Sequence, residues 1–230
     1  MSLVTDNQFM SRKNISQEKI IQSFIASAFE KSPGATSLSD ISEILGIKKA
    51  SLYNHFESRD AMYDATLDFC GEEIGRIGFL AENTIDLIIK NKTSLTALFK
   101  KLITRFFNLF ENEPLFEMYS FVRCEQYFNL KALEIVRREN QKIYDDIYKI
   151  IETFSAVGKI KQKNEKEIAD AASILSSVLI QNRDIYIANR KETVRQNPES
   201  GAGSLFALPT DDQALNKITK SCEIILKTLL

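Results

Sequence analysis

The stretch that decides the fold runs from Ser37 to Phe56 and reads Ser-Leu-Ser-Asp-Ile-Ser-Glu-Ile-Leu-Gly-Ile-Lys-Lys-Ala-Ser-Leu-Tyr-Asn-His-Phe. Ile41 and Leu45 lie at helical spacing and are followed by Gly46, which permits the left-handed backbone that ends a helix and starts a sharp turn. A second short helix then places Leu52 and Phe56 on its inner face. Two short helices joined by a turn of three or four residues are typical of a helix-turn-helix.

The outward side of the second helix carries side chains that suit a nucleic acid. Cations are attracted to phosphates, and hydroxyl and amide groups can hydrogen-bond to base edges or phosphates. We expect Ser51 and Asn54 to contact base edges, and Tyr53 and His55 to bond phosphates. An alternative is a plain helical hairpin whose exposed face is polar. The predicted DNA-facing residues of this helix are Lys48, Lys49, Ser51, Tyr53, Asn54 and His55.

The segment resembles the DNA-binding domain of TetR-family (tetracycline-repressor-like) transcriptional regulators. The residues that carry the resemblance are Ile41-Ser42-Glu43, the run from Gly46 to Tyr53, His55-Phe56 and Ser58-Arg59-Asp60, within a region from Ile20 to about Phe69. The resemblance implies that Thr36 and Ser37 support backbone contacts to an operator. It also implies that the helix after Ser58 transmits ligand binding to the DNA-binding head. Lys48 departs from the family pattern, since a capping Ser or Thr often stands there.

The composition is that of an ordinary globular protein with a local basic face. The 230 residues carry a net charge of −1, but no acidic residue lies between Lys48 and Phe56, and Arg59 is expected to add to that face. Cys70, Cys124 and Cys222 are far apart and odd in number, which favours reduced, buried thiols in a cytoplasmic protein. No apolar run is long enough to span a membrane.

The hydrophobic pattern predicts an all-α fold in two domains. We expect a disordered arm over residues 1–14, a three-helix helix-turn-helix domain over 15–60, and a helical effector-binding and dimerisation domain over 61–230. The helix that opens at Ser58 is predicted to continue past Gly78. Further helices are predicted over 115–129, 131–154 and 165–191, with a charged turn at 158–164 and an exposed loop at 196–212.

An aromatic segment of the second domain predicts an effector pocket. Seven of the fifteen phenylalanines lie between Phe99 and Phe128, among a few charged residues. An apolar cavity with a few polar groups suits a small molecule, although an aromatic stripe at helical spacing is often only core. The candidate effector-binding residues are Phe106, Phe110, Tyr119, Arg123, Tyr144 and Tyr148.

The last two predicted helices carry apolar residues at alternating steps of three and four, as coiled-coil seams do. In TetR-like proteins two such helices from each subunit form the dimer interface. The alternative is that both seams are satisfied inside one chain. The candidate dimerisation residues are Leu175, Val178, Asn182, Ile185, Ile218, Cys222, Ile225 and Leu229.

The sequence offers little for catalysis or metal binding. His55 is the single histidine, which removes a Ser-His-Asp triad from the body and leaves zinc without enough ligands. We expect no enzyme, metal or cofactor. The prediction is a homodimeric regulator, most simply a repressor, that binds a palindromic double-stranded DNA operator and is released by a small, largely apolar effector. A helical small-molecule carrier or sensor without DNA binding is the alternative.

Overall fold

Helices account for the regular structure in the computed structural model, which describes residues 15–90, 92–197 and 208–229. Within those ranges the chain forms nine α-helices, one 3-10 helix and no β-strand, which confirms the all-α prediction. Two compact units follow one another, divided between Thr66 and Leu67. The predicted disordered arm at 1–14 lies outside the described residues. The helices are α1 (Gln17–Lys31), α2 (Leu38–Leu45), the 3-10 helix (Lys49–Asn54), α3 (Arg59–Arg76), α4 (Thr84–Ile89), α5 (Leu95–Leu109), α6 (Leu115–Glu125), α7 (Leu130–Ala156), α8 (Glu165–Gln196) and α9 (Asp212–Leu229).

The first unit is built around the apolar faces of α1 and α2. Ile20, Phe24 and Ile41 are fully buried, and Leu52 of the 3-10 helix is buried with them. Gly46 closes α2 with φ of 64°, the left-handed conformation predicted for it. The helix-turn-helix arrangement of the sequence prediction is therefore present.

The second short helix differs in type from an ordinary α-helix. Residues Lys49–Asn54 form a 3-10 helix, in which side chains three apart lie nearly above one another. Among the described residues no side chain caps this helix at Lys48, which agrees with the missing Ser or Thr noted in the sequence. Leu52 faces inward, while Ser51 and Asn54 share another side of the helix.

The second unit is a helical bundle in which α7 and α8 are the longest helices and pack on each other. α4 and α6 pack on α7, and α9 packs on α5 and α8. Asn129 caps α7 and Asn164 caps α8, each accepting a hydrogen bond from the backbone amide three residues on. These caps explain why the charged turn before α8 ends at Asn164.

Some predicted boundaries and burials are wrong. α3 ends at Arg76 rather than beyond Gly78, since Gly75 and Gly78 lower helix propensity. α8 extends to Gln196, five residues past the predicted end. Cys70 and Cys222 are buried as predicted, but Cys124 is exposed because it lies on the outer face of α6.

Candidate functional site

The start of α2 is fixed by a reciprocal cap. The Ser37 hydroxyl accepts a hydrogen bond from the Asp40 amide at 3.2 Å, and the Asp40 carboxylate accepts one from the Ser37 amide at 2.8 Å. The side chain of Lys31, at the end of α1, also donates to Asp40. The hydrogen bonds from Lys31 and Ser37 lower the pKa of Asp40 to about 2. The carboxylate therefore stays ionised and holds α1 and α2 together.

Most residues predicted to face DNA lie at the surface of the first unit. Lys48, Lys49, Tyr53 and Asn54 are exposed, whereas Ser51 and His55 are half-buried. Gln17 at the start of α1 donates to the His55 carbonyl at 2.9 Å, which fixes the end of the 3-10 helix. The exposed side chains of Lys48, Lys49, Tyr53 and Asn54, with Ser51 and His55, form a short polar ridge that has both lysines at one end.

Two residues predicted to belong to this surface, Thr36 and Arg59, make structural hydrogen bonds, although Arg59 is only half-buried. Thr36 is buried and its hydroxyl donates to the Ser32 carbonyl at 3.0 Å, so its side chain has a structural partner rather than a free surface. Arg59 donates to the carbonyls of Thr36 and Pro33, and its guanidinium lies over the ring of Phe24. Arg59 therefore secures the loop before α2. Ser37, beside them, is exposed.

The candidate effector residues divide into core and surface groups. Phe106, Phe110 and Tyr119 are buried and form a chain of edge-to-face rings, with centroids 5.3 Å and 5.2 Å apart. Tyr144 and Tyr148 are half-buried neighbours on α7 with ring centroids 6.2 Å apart. Three of the six candidate effector residues are therefore core aromatics, and the role of the set as pocket lining stays a prediction.

A cavity of about 300 Å³ lies between α6 and α8 and includes two of the candidates, Tyr119 and Arg123. Arg123 forms an ion pair with Asp184, and the Tyr119 hydroxyl donates to the same carboxylate. The full lining is Tyr119, Ser120, Arg123, Gln126, Asp184, Ile187, Ala188 and Lys191. Sequence reasoning missed Asp184 because its partner is 61 positions away along the chain.

Behind this cavity lies a buried charge cluster that the sequence did not indicate. Arg183 is fully buried, with Nη1 2.7 Å from Glu139 on α7 and Nε donating to the Tyr119 hydroxyl at 3.2 Å. Burial raises the pKa of Tyr119, so its hydroxyl stays protonated. The cluster joins α6, α7 and α8.

The candidate dimerisation residues also differ in burial: some lie inside the chain and others are exposed. Leu175, Ile218 and Cys222 are buried within the chain, as expected if their seam is satisfied in one protomer. Ile185 is exposed, and Val178, Asn182 and Ile225 are half-buried. The side chain of Leu229 lies outside the described residues. Two further apolar side chains that the sequence did not select, Ile174 on α8 and Ile224 on α9, are also exposed.

Side chains from α5 and α7 hold the segment that follows α3. Lys142 donates to the Gly75 carbonyl at 2.6 Å, and Arg105 donates to the Gly78 carbonyl at 3.0 Å. The half-buried carboxylate of Asp146 accepts from the Leu80 amide at 2.9 Å. The end of α3 and the residues that follow it are therefore held by α5 and α7 through three polar contacts.

Comparison with known proteins identifies what the first unit resembles. A sequence profile of the family "Bacterial regulatory proteins, tetR family" matches residues 25–66, the region that contains α2 and the 3-10 helix. This region is therefore similar to the DNA-binding part of tetR-family regulators.

Curated relatives match less than half of this chain. The Staphylococcus aureus (strain Newman) "Biofilm operon icaADBC HTH-type negative transcriptional regulator IcaR" is 33% identical over 95 residues, 41% of this chain and 48% of the relative. The IcaR of Staphylococcus epidermidis is 37% identical over 70 residues, 30% of this chain and 37% of the relative. The chain thus spans about half the length, or less, of these relatives.

Solved structures match nearly the whole chain in fold. A TetR transcription regulator from Haloarcula marismortui aligns with a TM-score of 0.57 and 12% identity, over 92% of this chain and 96% of the other. A TetR transcriptional regulator from Legionella pneumophila aligns with a TM-score of 0.51 and 17% identity, over 94% and 98%. At such low identity these likenesses establish the fold alone.

In residues 15–90, 92–197 and 208–229, no group of three or more His, Cys, Asp or Glu side chains is arranged to hold a metal ion. In the same part of the chain, none of the helices is both long enough and apolar enough to cross a membrane.

Proposed function

We propose that this chain is a homodimeric transcriptional repressor of the TetR type that binds a palindromic operator and is released by a small effector. The observation that carries the proposal is the exposed polar ridge of the 3-10 helix, set on a capped helix-turn-helix. The negative regulator IcaR, which this chain resembles over 95 residues, supports repression rather than activation.

DNA contact is assigned to the exposed ridge. Lys48 and Lys49 would neutralise phosphates, and Ser51 and Asn54 would approach base edges from the same side of the 3-10 helix. Tyr53 and His55 would bond phosphates. Ser37 would contribute backbone contacts from the exposed N-terminus of α2, while the buried Thr36 would act by shaping that loop.

Dimerisation is assigned to the outer face of α8 and α9. The exposed fractions of Ile174, Ile185 and Ile224 are 43%, 49% and 60%, which leaves three large apolar side chains in water on one protomer. Ile174 and Ile185 are eleven residues apart, three turns of one helix, so they share a face. A two-fold pair would present two ridges to two half-sites about one helical turn, or a multiple of it, apart.

Effector coupling is assigned to α3 and its C-terminal ties. An effector in the body would shift α5 or α7, and the contacts at Gly75, Gly78 and Leu80 would pass that shift to α3. A change in the separation of the two ridges would then lower operator affinity, as a coupling between two distinct sites. A carrier without DNA binding would not need exposed lysines on the ridge, and the exposure of Lys48 and Lys49 favours the regulator.

The experiment is selection from random duplex DNA at low salt, followed by sequencing. Wild-type protein is compared with Lys48→Ala/Lys49→Ala. We expect one palindrome to be enriched by the wild type and lost in the variant. A folded dimer that enriches no sequence would overturn the regulator and favour the carrier or sensor.

A further inference from the structure

Ala50 is an exposed residue of the 3-10 helix that has no part in the DNA contacts assigned above. Its methyl group lies in water, whereas Leu52, two residues later, is buried at 1% exposure. The Ser51 amide donates to the Lys48 carbonyl at 2.8 Å. Further along, the His55 amide donates to the Leu52 carbonyl at 3.0 Å. These bonds fix the backbone, and an alanine has no rotamers to change, so the helix alone sets the position of the Ala50 methyl group.

The 3-10 geometry places this methyl group beside the residues that are assigned to base edges. Such a helix has about three residues per turn, so its side chains fall on three sides. The buried Leu52 marks the inner side. Ala50 and Tyr53, three residues apart and both exposed, share a second side. Ser51 and Asn54 share the third side, so Ala50 and Ser51 lie on adjacent outward sides of the same turn.

A methyl group that reaches a base edge suits only an apolar partner. In the major groove every base presents hydrogen-bond donors or acceptors, and thymine alone also presents a methyl group, at C5. A methyl group placed against a donor or acceptor removes water from that atom and leaves it without a partner, which is unfavourable. Two methyl groups in contact remove apolar surface from water instead, which is favourable. The chemistry of Ala50 therefore favours thymine over the other bases.

We propose that Ala50 contacts the C5 methyl group of a thymine in each operator half-site, an inference that rests on the proposed function. The contact makes one position of the half-site specific for thymine on one strand. Lys48 and Lys49 hold the helix on the phosphates, and Ser51 reads a neighbouring base pair. Alanine suits this position because it has no atoms beyond the methyl group that would hold the helix away from the groove.

The test uses the palindrome that the wild-type chain selects from random DNA. Each thymine is replaced in turn, in both half-sites together, by deoxyuridine, which keeps the hydrogen-bonding groups and lacks only the methyl group. We expect one position at which this change lowers the affinity of the wild-type dimer by about tenfold, since each buried methyl group contributes about fourfold. The affinity is measured by fluorescence anisotropy of the labelled duplex at a fixed salt concentration.

Two variants of Ala50 remove the contact from the protein side. Ala50→Gly should bind the thymine operator more weakly than wild type and bind the thymine and uracil operators equally at the sensitive position. Ala50→Ser retains Cβ and serves if the glycine variant does not fold. Because its hydroxyl disfavours the thymine methyl group, it should reduce the preference for thymine over uracil to about twofold or less. Ser51→Ala is the matched control, which should weaken binding overall and keep the full preference at that position.

Three results would overturn the assignment. They are a selected half-site without thymine, equal affinity of the wild type for every uracil-substituted operator, and a full preference for thymine in the folded Ala50 variants. Each of them leaves the regulator in place, because a palindrome is still selected and bound. Failure to enrich any DNA overturns the regulator itself, and the thymine contact with it, so the two failures are distinguishable.

Discussion

Arg59 at the start of α3 donates from Nε to the carbonyl of Thr36 at 2.9 Å, immediately before the N-cap of α2. The bond joins two positions 23 residues apart and orients the entrance to the helix-turn-helix. A residue that looked like part of a basic DNA-facing surface is thus a structural tie within the first unit.

The first prediction concerns this tie. Arg59→Ala should lower the free energy of unfolding by about 1–2 kcal/mol, because charge-assisted hydrogen bonds are lost from a side chain that is only partly buried. The measurement is urea denaturation followed by circular dichroism. Arg76→Ala, at the other end of the same helix, is the control and should change stability little, since its partner Glu73 is a surface contact. Equal losses in the two variants would contradict the structural role of Arg59.

The second prediction concerns acid stability of the α2 cap. The folded pKa of Asp40, about 2, lies below its usual value of 3.8, so the ionised carboxylate stabilises the fold above about pH 4. That contribution is lost as the pH falls from about 4 towards 2. Asp40→Asn should therefore be less stable than wild type at pH 6, with the difference shrinking at pH 2.5. Thermal melting across this range is the measurement, and a constant difference would count against the cap.

The third prediction concerns the buried pair of Arg183 and Glu139. Removing one partner, as in Glu139→Leu, should cost about 3–5 kcal/mol, because it leaves an unpaired charge in the core. The double variant Arg183→Met/Glu139→Leu should recover most of that loss. The denaturant midpoints of Glu139→Leu, Arg183→Met and the double variant give the coupling energy between the two side chains. Additive losses in this double-mutant cycle would show that the two side chains do not act as a pair.

The fourth prediction concerns the outer face of α8 and α9. Ile174→Arg/Ile224→Arg should shift the dimer to monomer in sedimentation velocity, since each substitution places a charge in the proposed contact. Val157→Arg changes an exposed apolar residue at the end of α7 and is the matched control. A monomeric wild type, or a double variant that remains dimeric, would rule out this face as the interface.

Local signals in the sequence account for much of the fold. Ser37 and Asp40 are typical of the capped start of a helix, and Gly46 is typical of a helix end. Both signals can be recognised in the sequence because helix caps and left-handed glycines depend on neighbouring residues alone. Apolar spacing likewise predicted α7 and α8. The same reasoning did not distinguish a 3-10 helix from an α-helix at Lys49–Asn54, since six residues are too few for the two periods to separate.

The sites were less predictable because they depend on contacts distant in sequence. Periodicity marks an inner face, but it does not say which helix covers it, so Leu175 and Cys222 were assigned to a partner although their own chain buries them. The burial of Thr36 follows from the loop geometry that Arg59 fixes. Arg183 on α8 gave no local signal of burial, since its carboxylate partner lies 44 residues away on α7.

The most direct test of the DNA-reading ridge is the salt dependence of affinity for the selected operator. Lys48→Ala/Lys49→Ala should weaken binding and reduce the slope of log K against log salt by about 2, since each lysine that neutralises a phosphate contributes about one. Lys161→Ala/Lys166→Ala, which removes two exposed lysines at the start of α8, should leave the slope unchanged. An unchanged slope in Lys48→Ala/Lys49→Ala would contradict the proposed contact between this ridge and DNA.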